Sequence, residues 1–169
     1  MTQRIHASVE IFGSDHVEIG SNVRIDAHCI ITAGPGRVTI GDNVHVGAAT
    51  HLFGTTGITI ADFANISSRV SLFSTNDDYT DGYLTNPTVP DELRKVTGAP
   101  VAIERHAIIG CGTVVLPGVV VGTGAAVGAL SLVKDDVEPF SVVAGTPARP
   151  IGTRNRERLE ALERRLTAG

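Results

Sequence analysis

Tryptophan is absent from this 169-residue chain, aromatic residues make up only 4%, and there are one methionine and two cysteines. A core built without large rings has to be thin, filled by branched aliphatic and small side chains. Cys29 and Cys111 stand far apart and match no disulfide framework or zinc-ribbon spacing. No apolar run approaches the roughly 18–20 residues of a membrane span, and the opening MTQRIHASVE lacks the apolar centre of a signal peptide. A soluble, cytoplasmic protein is the expectation. A basic excess is also missing: the net charge is −4 and the pI about 5.8, which argues against nucleic acid as a partner.

What is present is a repeat. From Ile103 to Glu138 the chain reads in sixes as IERHAI, IGCGTV, VLPGVV, VGTGAA, VGALSL and VKDDVE. Ile103, Ile109, Val115, Val121, Val127 and Val133 open the blocks, and the fifth position is small or β-branched in each (Ala107, Thr113, Val119, Ala125, Ser131, Val137). A fixed six-residue period predicts a parallel β-solenoid in which three short strands make one triangular coil. The first position then points into the prism and stacks into an aliphatic ladder. The same register runs back through Ile60, Ile66 and Leu72, through Ile40, Val46 and Leu52, and through Ile19, Ile25 and Ile31 to a partial coil at Ile5 and Ile11. Cys29 falls at an inward fifth position, which makes it core filler.

Extra residues enter at one place per coil: after Ile11, Ile31, Leu52 and, on a larger scale, Leu72. Insertions should therefore line one edge of the prism. The large one, about 74–100, contains Pro87, Pro90, Pro100 and two tyrosines without helical periodicity. A loop of this length inside a compact repeat is usually functional, and its tyrosines and Leu84 suggest packing on a neighbouring subunit. After Val133, Pro139, Pro147 and Pro150 end the strand pattern. RNRERLEALERRLTAG then predicts a helix with Leu159, Leu162 and Leu166 on one face, reading as a cap on the solenoid. The domains expected are 1–152, the solenoid, and 153–169, the helix.

The repeats, the loop after the third complete coil, GALSLVKDDVEP and AGTPARPIG together resemble the left-handed β-helix acyltransferases of the galactoside, maltose and xenobiotic acetyltransferase type. The loop pattern Asp77-Asp78-Tyr79, Asn86-Pro87 and Val89-Pro90 is most similar to the sugar O-acetyltransferase-like members of lipopolysaccharide and capsule synthesis. The resemblance implies an all-β left-handed helix and a homotrimer with active sites between prisms. It also implies acetyl-CoA as co-substrate, no metal, and a sugar or nucleotide-sugar acceptor accepting at a hydroxyl or an amine. It places Cys111, Ala129, Ser131, Lys134 and Arg149 along the cofactor, and the loop, with Tyr79, Tyr83 and Asn86, at the acceptor.

Acyl transfer needs a base for the acceptor's proton and donors for the oxyanion. Galactoside-type relatives place a His just before the loop, where this chain has Asn76-Asp77-Asp78. The candidates are therefore Asp77 or Asp78, as base or as the partner of an amino sugar's ammonium, and His106, at an outward fourth position where the chain re-enters the prism. His51 is a lesser candidate, and His6, His16, His28 and His45 read as surface or packing residues. Two other classes fit less well. A γ-carbonic-anhydrase-like zinc site needs converging histidines at a spacing not found here, and a non-catalytic scaffold gives no reason for AGTPAR or the acidic loop.

Overall fold

The computed structural model describes residues 2–167. It is a left-handed parallel β-helix of three faces. The ladder Ile5, Ile25, Val46, Ile66, Ile109, Val127 and Val143 runs up the first face. Ile11, Ile31, Leu52, Leu72, Val115 and Val133 form the second. Ile19, Ile40, Ile60, Ile103 and Val121 form the third. From Ile25 and Ile31 to Val121, these ladder side chains are essentially without solvent access. The open N-terminal coil is less covered, with Ile5 still 38% exposed.

Each corner needs a tight turn, and the residue three after a ladder position adopts left-handed backbone there. Asn22, His28, Asn43, Ala49, Phe63, Arg69, His106, Leu130 and Phe140 have φ between 54° and 62°, and Gly112, Gly118 and Gly124 hold the same position. The β-branched residues, for which this conformation is most costly, are missing from that list. The fifth position then turns inward. Its hydroxyls are satisfied locally: Thr50, Thr113 and Ser131 donate to the carbonyls of Ser67, Gly128 and Gly128 at 3.0, 3.2 and 2.7 Å. Cys29, 1% exposed, donates to the Gly47 carbonyl at 3.2 Å, and burial raises its thiol pKa.

The insertions do line one edge, the corner between the second and third faces. The repeat runs further than its prolines suggested. Val137 pairs with Val121 across the third face, only four residues after Val133, and Val143 pairs with Val127 on the first. A shortened corner thus carries the coil past Pro139. Ser141–Ala144 then pairs antiparallel with Arg149–Thr153, closing the first face, and the helix Arg156–Thr167 follows. No described helix is long and apolar enough to cross a membrane.

Candidate active site

The loop leaves the prism through an antiparallel pair, Thr75–Asn76 with Thr97–Gly98, and folds back over the second face. Beneath it lies a cleft of about 460 Å³ floored by Phe53, Phe73, Val114 and Leu116 and walled by Asn76, Asp77, Tyr79, Arg94 and Val96. Phe53 and Phe73 occupy the outward position after the ladder on adjacent coils, so their rings stack, with centroids 4.9 Å apart and planes 6° from parallel. Arg94 reaches in from the far limb of the loop and is only 17% exposed. Its Nη1 donates to Asp91 at 3.1 Å and its Nη2 lies 3.8 Å from Asp77, while its Nε is buried without a hydrogen-bond partner.

The two candidate aspartates differ in what they do. Asp77 lines the cleft with a carboxylate that is 45% exposed. Asp78 instead closes a turn, accepting the backbone N–H groups of Asp81 and Tyr83, each at 3.0 Å. Desolvation pushes its pKa up, but the backbone donors of Asp81, Tyr83 and Thr80 together outweigh this and hold it below the ordinary carboxylate value. A carboxylate so committed is a poor proton acceptor. Asn86 is also a turn residue, its Oδ1 accepting from the Thr88 N–H and hydroxyl. Tyr79, 84% exposed, stands at the cleft, and Tyr83 lies under the Lys95 ammonium.

His106 is elsewhere. The chain re-enters the prism at Val101, and His106 stands one corner later, between the third and first faces. There the helix covers it: its ring stacks on Phe63 at 4.9 Å, and Nε2 lies 2.9 Å from Glu163, out of line for a good hydrogen bond. Arg105 bonds both Glu163 and Asp62, and Arg154 donates to the carbonyls of His106 and Gly124. Within one chain, then, His106 does not join Asp77 and Asp78. A register argument places a residue at a corner, but not which distant element covers that corner.

The cofactor candidates divide in the same way. Cys111 and Ala129 are exposed on successive turns of the edge between the first and second faces. Ser131 is 3% exposed, and its hydroxyl accepts the Gly145 N–H, so it packs rather than presents itself. Lys134 and Arg149, far apart in sequence, converge on Asp135 at 3.1 and 3.7 Å beside a cleft of about 410 Å³ at the C-terminal coil.

No family model matches the chain. It is 45% identical over 157 residues to the dTDP-4-amino-4,6-dideoxy-D-glucose acyltransferase of Escherichia coli, covering 93% of this chain and 82% of that protein. It is 30% identical over 141 residues to a protein of Escherichia coli (strain K12) named as a lipopolysaccharide biosynthesis O-acetyl transferase, covering 82% and 69%. Among solved structures, AntD, an N-acyltransferase from Bacillus cereus in complex with dTDP and 3-hydroxybutyryl-CoA, superposes with a TM-score of 0.90 at 38% identity, over 97% of this chain and 86% of that one. The chain belongs to the hexapeptide-repeat sugar acyltransferases.

For this acyltransferase, two features of the loop cleft and the partner of His106 escaped sequence reading. Arg94 sits in DELRKV, which reads as a solvated charge run, and only its burial singles it out. Glu163 lies in the helix, 57 residues after His106, with no local signal linking them. Phe53 and Phe73 were visible in principle. Each follows a ladder residue by one, an outward position, and two aromatics there on adjacent coils must stack.

Proposed function

We propose that this acyltransferase transfers the acyl group of an acyl-CoA to the amine of an amino sugar carried on a nucleoside diphosphate. The observation that carries the reading is Asp77 at the lip of the loop cleft, in a wall whose described residues include no histidine. A hydroxyl needs a strong base to be a nucleophile, and a partly solvated carboxylate is a weak one. An amine is already nucleophilic once deprotonated. A carboxylate holds the ammonium as counter-ion until it gives up one proton to solvent, and then accepts the second proton, released as the nitrogen attacks the thioester carbonyl. The C–N bond forms, the C–S bond breaks, and CoA leaves as thiolate.

The relatives support this direction. The protein 45% identical carries a 4-amino-4,6-dideoxy sugar in its name, and AntD has been solved with dTDP-4-amino-4,6-dideoxyglucose and coenzyme A. AntD variants replace a serine and an aspartate ten positions apart. Ser67 and Asp77, and Ser68 and Asp78, stand at that spacing here. The donor lies along the outward turns of the C-terminal coils, past Cys111 and Ala129, with Lys134 and Arg149 toward its phosphates. Catalysis takes place in a homotrimer, in the cytoplasm where both substrates are made. The loop side chains Tyr83, Leu84, Leu93 and Val96, each about half exposed, pack on the next prism.

The test is thiol release and product mass with purified protein, acetyl-CoA and dTDP-4-amino-4,6-dideoxyglucose, against the same sugar bearing a 4-hydroxyl. CoA release is expected only with the amine. Turnover of the hydroxyl sugar in preference to the amine would sink the reading.

A further inference from the structure

The acceptor reading above leaves open what holds the nucleotide, and the inference drawn here rests on that reading. We propose that Arg94 and the Phe53–Phe73 shelf form the nucleotide subsite, with the guanidinium taking the diphosphate and the stacked rings seating the base.

Two independent features of the cleft point this way. The first is an unsatisfied donor. Arg94 is the most enclosed cation of the loop at 17% exposure, yet its Nε has no hydrogen-bond partner and Nη2 stands 3.8 Å from Asp77, beyond hydrogen-bond reach. Only Nη1 is engaged, by an Asp91 that is itself 95% exposed. The Nε–Nη2 edge is the fork with which a guanidinium grips a phosphate in two parallel bonds, and a buried donor left unpaired is unfavourable until a ligand supplies the acceptor. Lys95, the neighbouring cation, has no such vacancy, because it is bonded to Asp81. The second feature is the apolar shelf. A chain with five phenylalanines places two of them outward and stacked, and Val114 and Leu116 extend the surface on the next coil. Flat apolar surface beside a cation suits a flat ring linked to phosphate, since base–aromatic stacking tolerates any base.

The charge order matches the acceptor as well. A sugar with an amine at C4 and a diphosphate at C1 carries opposite charges at opposite ends of one ring. Asp77 and Arg94 present opposite charges side by side in one wall. If Asp77 meets the ammonium, the diphosphate falls toward Arg94 and the base toward the phenylalanines.

The experiment is calorimetric titration of the intact protein and of Arg94→Lys and Phe73→Ala with dTDP alone, thymidine alone and CoA alone. Arg94→Lys should weaken dTDP at least tenfold, leaving thymidine and CoA within about twofold, because lysine keeps the charge but loses the fork. Phe73→Ala should weaken dTDP and thymidine by a common factor, about five- to 100-fold for one stacked base. Unchanged dTDP affinity in Arg94→Lys would overturn the subsite, as would no dTDP binding by the unaltered protein. Equal loss of dTDP and thymidine in Arg94→Lys would also overturn it, marking Arg94 as a strut of the loop. Loss of dTDP alone in Arg94→Lys supports the subsite even if no amino sugar turns over, in which case only the acceptor reading falls. Amino-sugar turnover with undiminished dTDP binding in Arg94→Lys removes the subsite alone.

Discussion

Two edges of the same prism gather the same residue types and use them differently. Between the third and first faces, His106, Arg105, Asp62 and Glu163 meet under the helix, with Phe63 stacked on the imidazole and the Arg105 guanidinium over its ring. Between the second and third faces, Asp77, Arg94 and Asp91 meet above the Phe53–Phe73 pair. The first cluster is paired within itself, with even the misaligned His106 Nε2 only 2.9 Å from Glu163, although a cleft of about 410 Å³ opens beside it among Phe63, Leu159 and Leu162. The second is open, with a buried donor unpaired and a cleft of about 460 Å³ in front of it. Charged side chains that satisfy one another hold structure together, while those left incomplete beside a cavity are available to a ligand. We propose that the helix edge, where Glu163 faces both Arg105 and His106, is a latch and that the loop edge is the site.

The largest effect expected from breaking this contrast is on catalysis. Asp77→Asn keeps the shape of the cleft and removes the proton acceptor, so kcat/KM for the amino sugar should fall by about 10²–10⁴-fold with the thermal midpoint unchanged. His106→Gln should leave turnover within about threefold and lower the midpoint instead. If steady-state kinetics showed the losses reversed, the histidine would be the base, brought to the loop of a neighbouring prism, and the latch would be a misreading.

Stability should respond at the other edge. Glu163→Ala strips Arg105 and His106 of their shared partner at a contact where the imidazole is 15% exposed. The cost expected is about 1–3 kcal/mol in denaturant unfolding, with kcat unchanged. Acid should do the same reversibly. The Arg105 hydrogen bond, and after it the adjacent His106 ring, hold the Glu163 pKa below its usual 4.5. A depressed folded-state value means the contribution is complete above the unfolded-state pKa and disappears as pH falls through the folded one. Helix protection, read by hydrogen exchange, should therefore persist at neutral pH and fade below about pH 4.5 in the intact protein. Glu163→Ala should lack that step.

Much of this fold was legible because a solenoid is local. Period six, an inward first position and an outward turn at the fourth follow from residues a few apart, so the ladders and the insertion edge could be read from Ile5 to Val133. Handedness was not, since the same inward pattern fits either sense. The shortened corner before Val137 was hidden because Val137 suits both a fifth and a first position. At the site, the loop was recognisable and the division of its aspartates was not. Asp78 is spent on the N–H groups of Asp81 and Tyr83, a turn that D-D-Y-T-D-G-Y foreshadows, whereas Asp77 matters through Arg94, 17 residues on. Long-range placement of a single side chain is what a period cannot encode.

The smallest effects should come from the cations nearest the proposed donor. Lys134 and Arg149 are 45% and 62% exposed and both lean on Asp135, itself 64% exposed. Contacts this solvated are screened, so Lys134→Ala or Arg149→Ala should raise the KM for acyl-CoA only about two- to fivefold, less at high salt. Asp135 gives the sharper version. If the two cations serve the donor's phosphates, Asp135 competes with those phosphates for both of them. Asp135→Asn should then lower the KM for acyl-CoA, by about twofold, and steepen its dependence on salt. A loss of affinity in that variant would mean that Asp135 positions the cations rather than competing for them, and the C-terminal rim would belong with the latch rather than with the cleft.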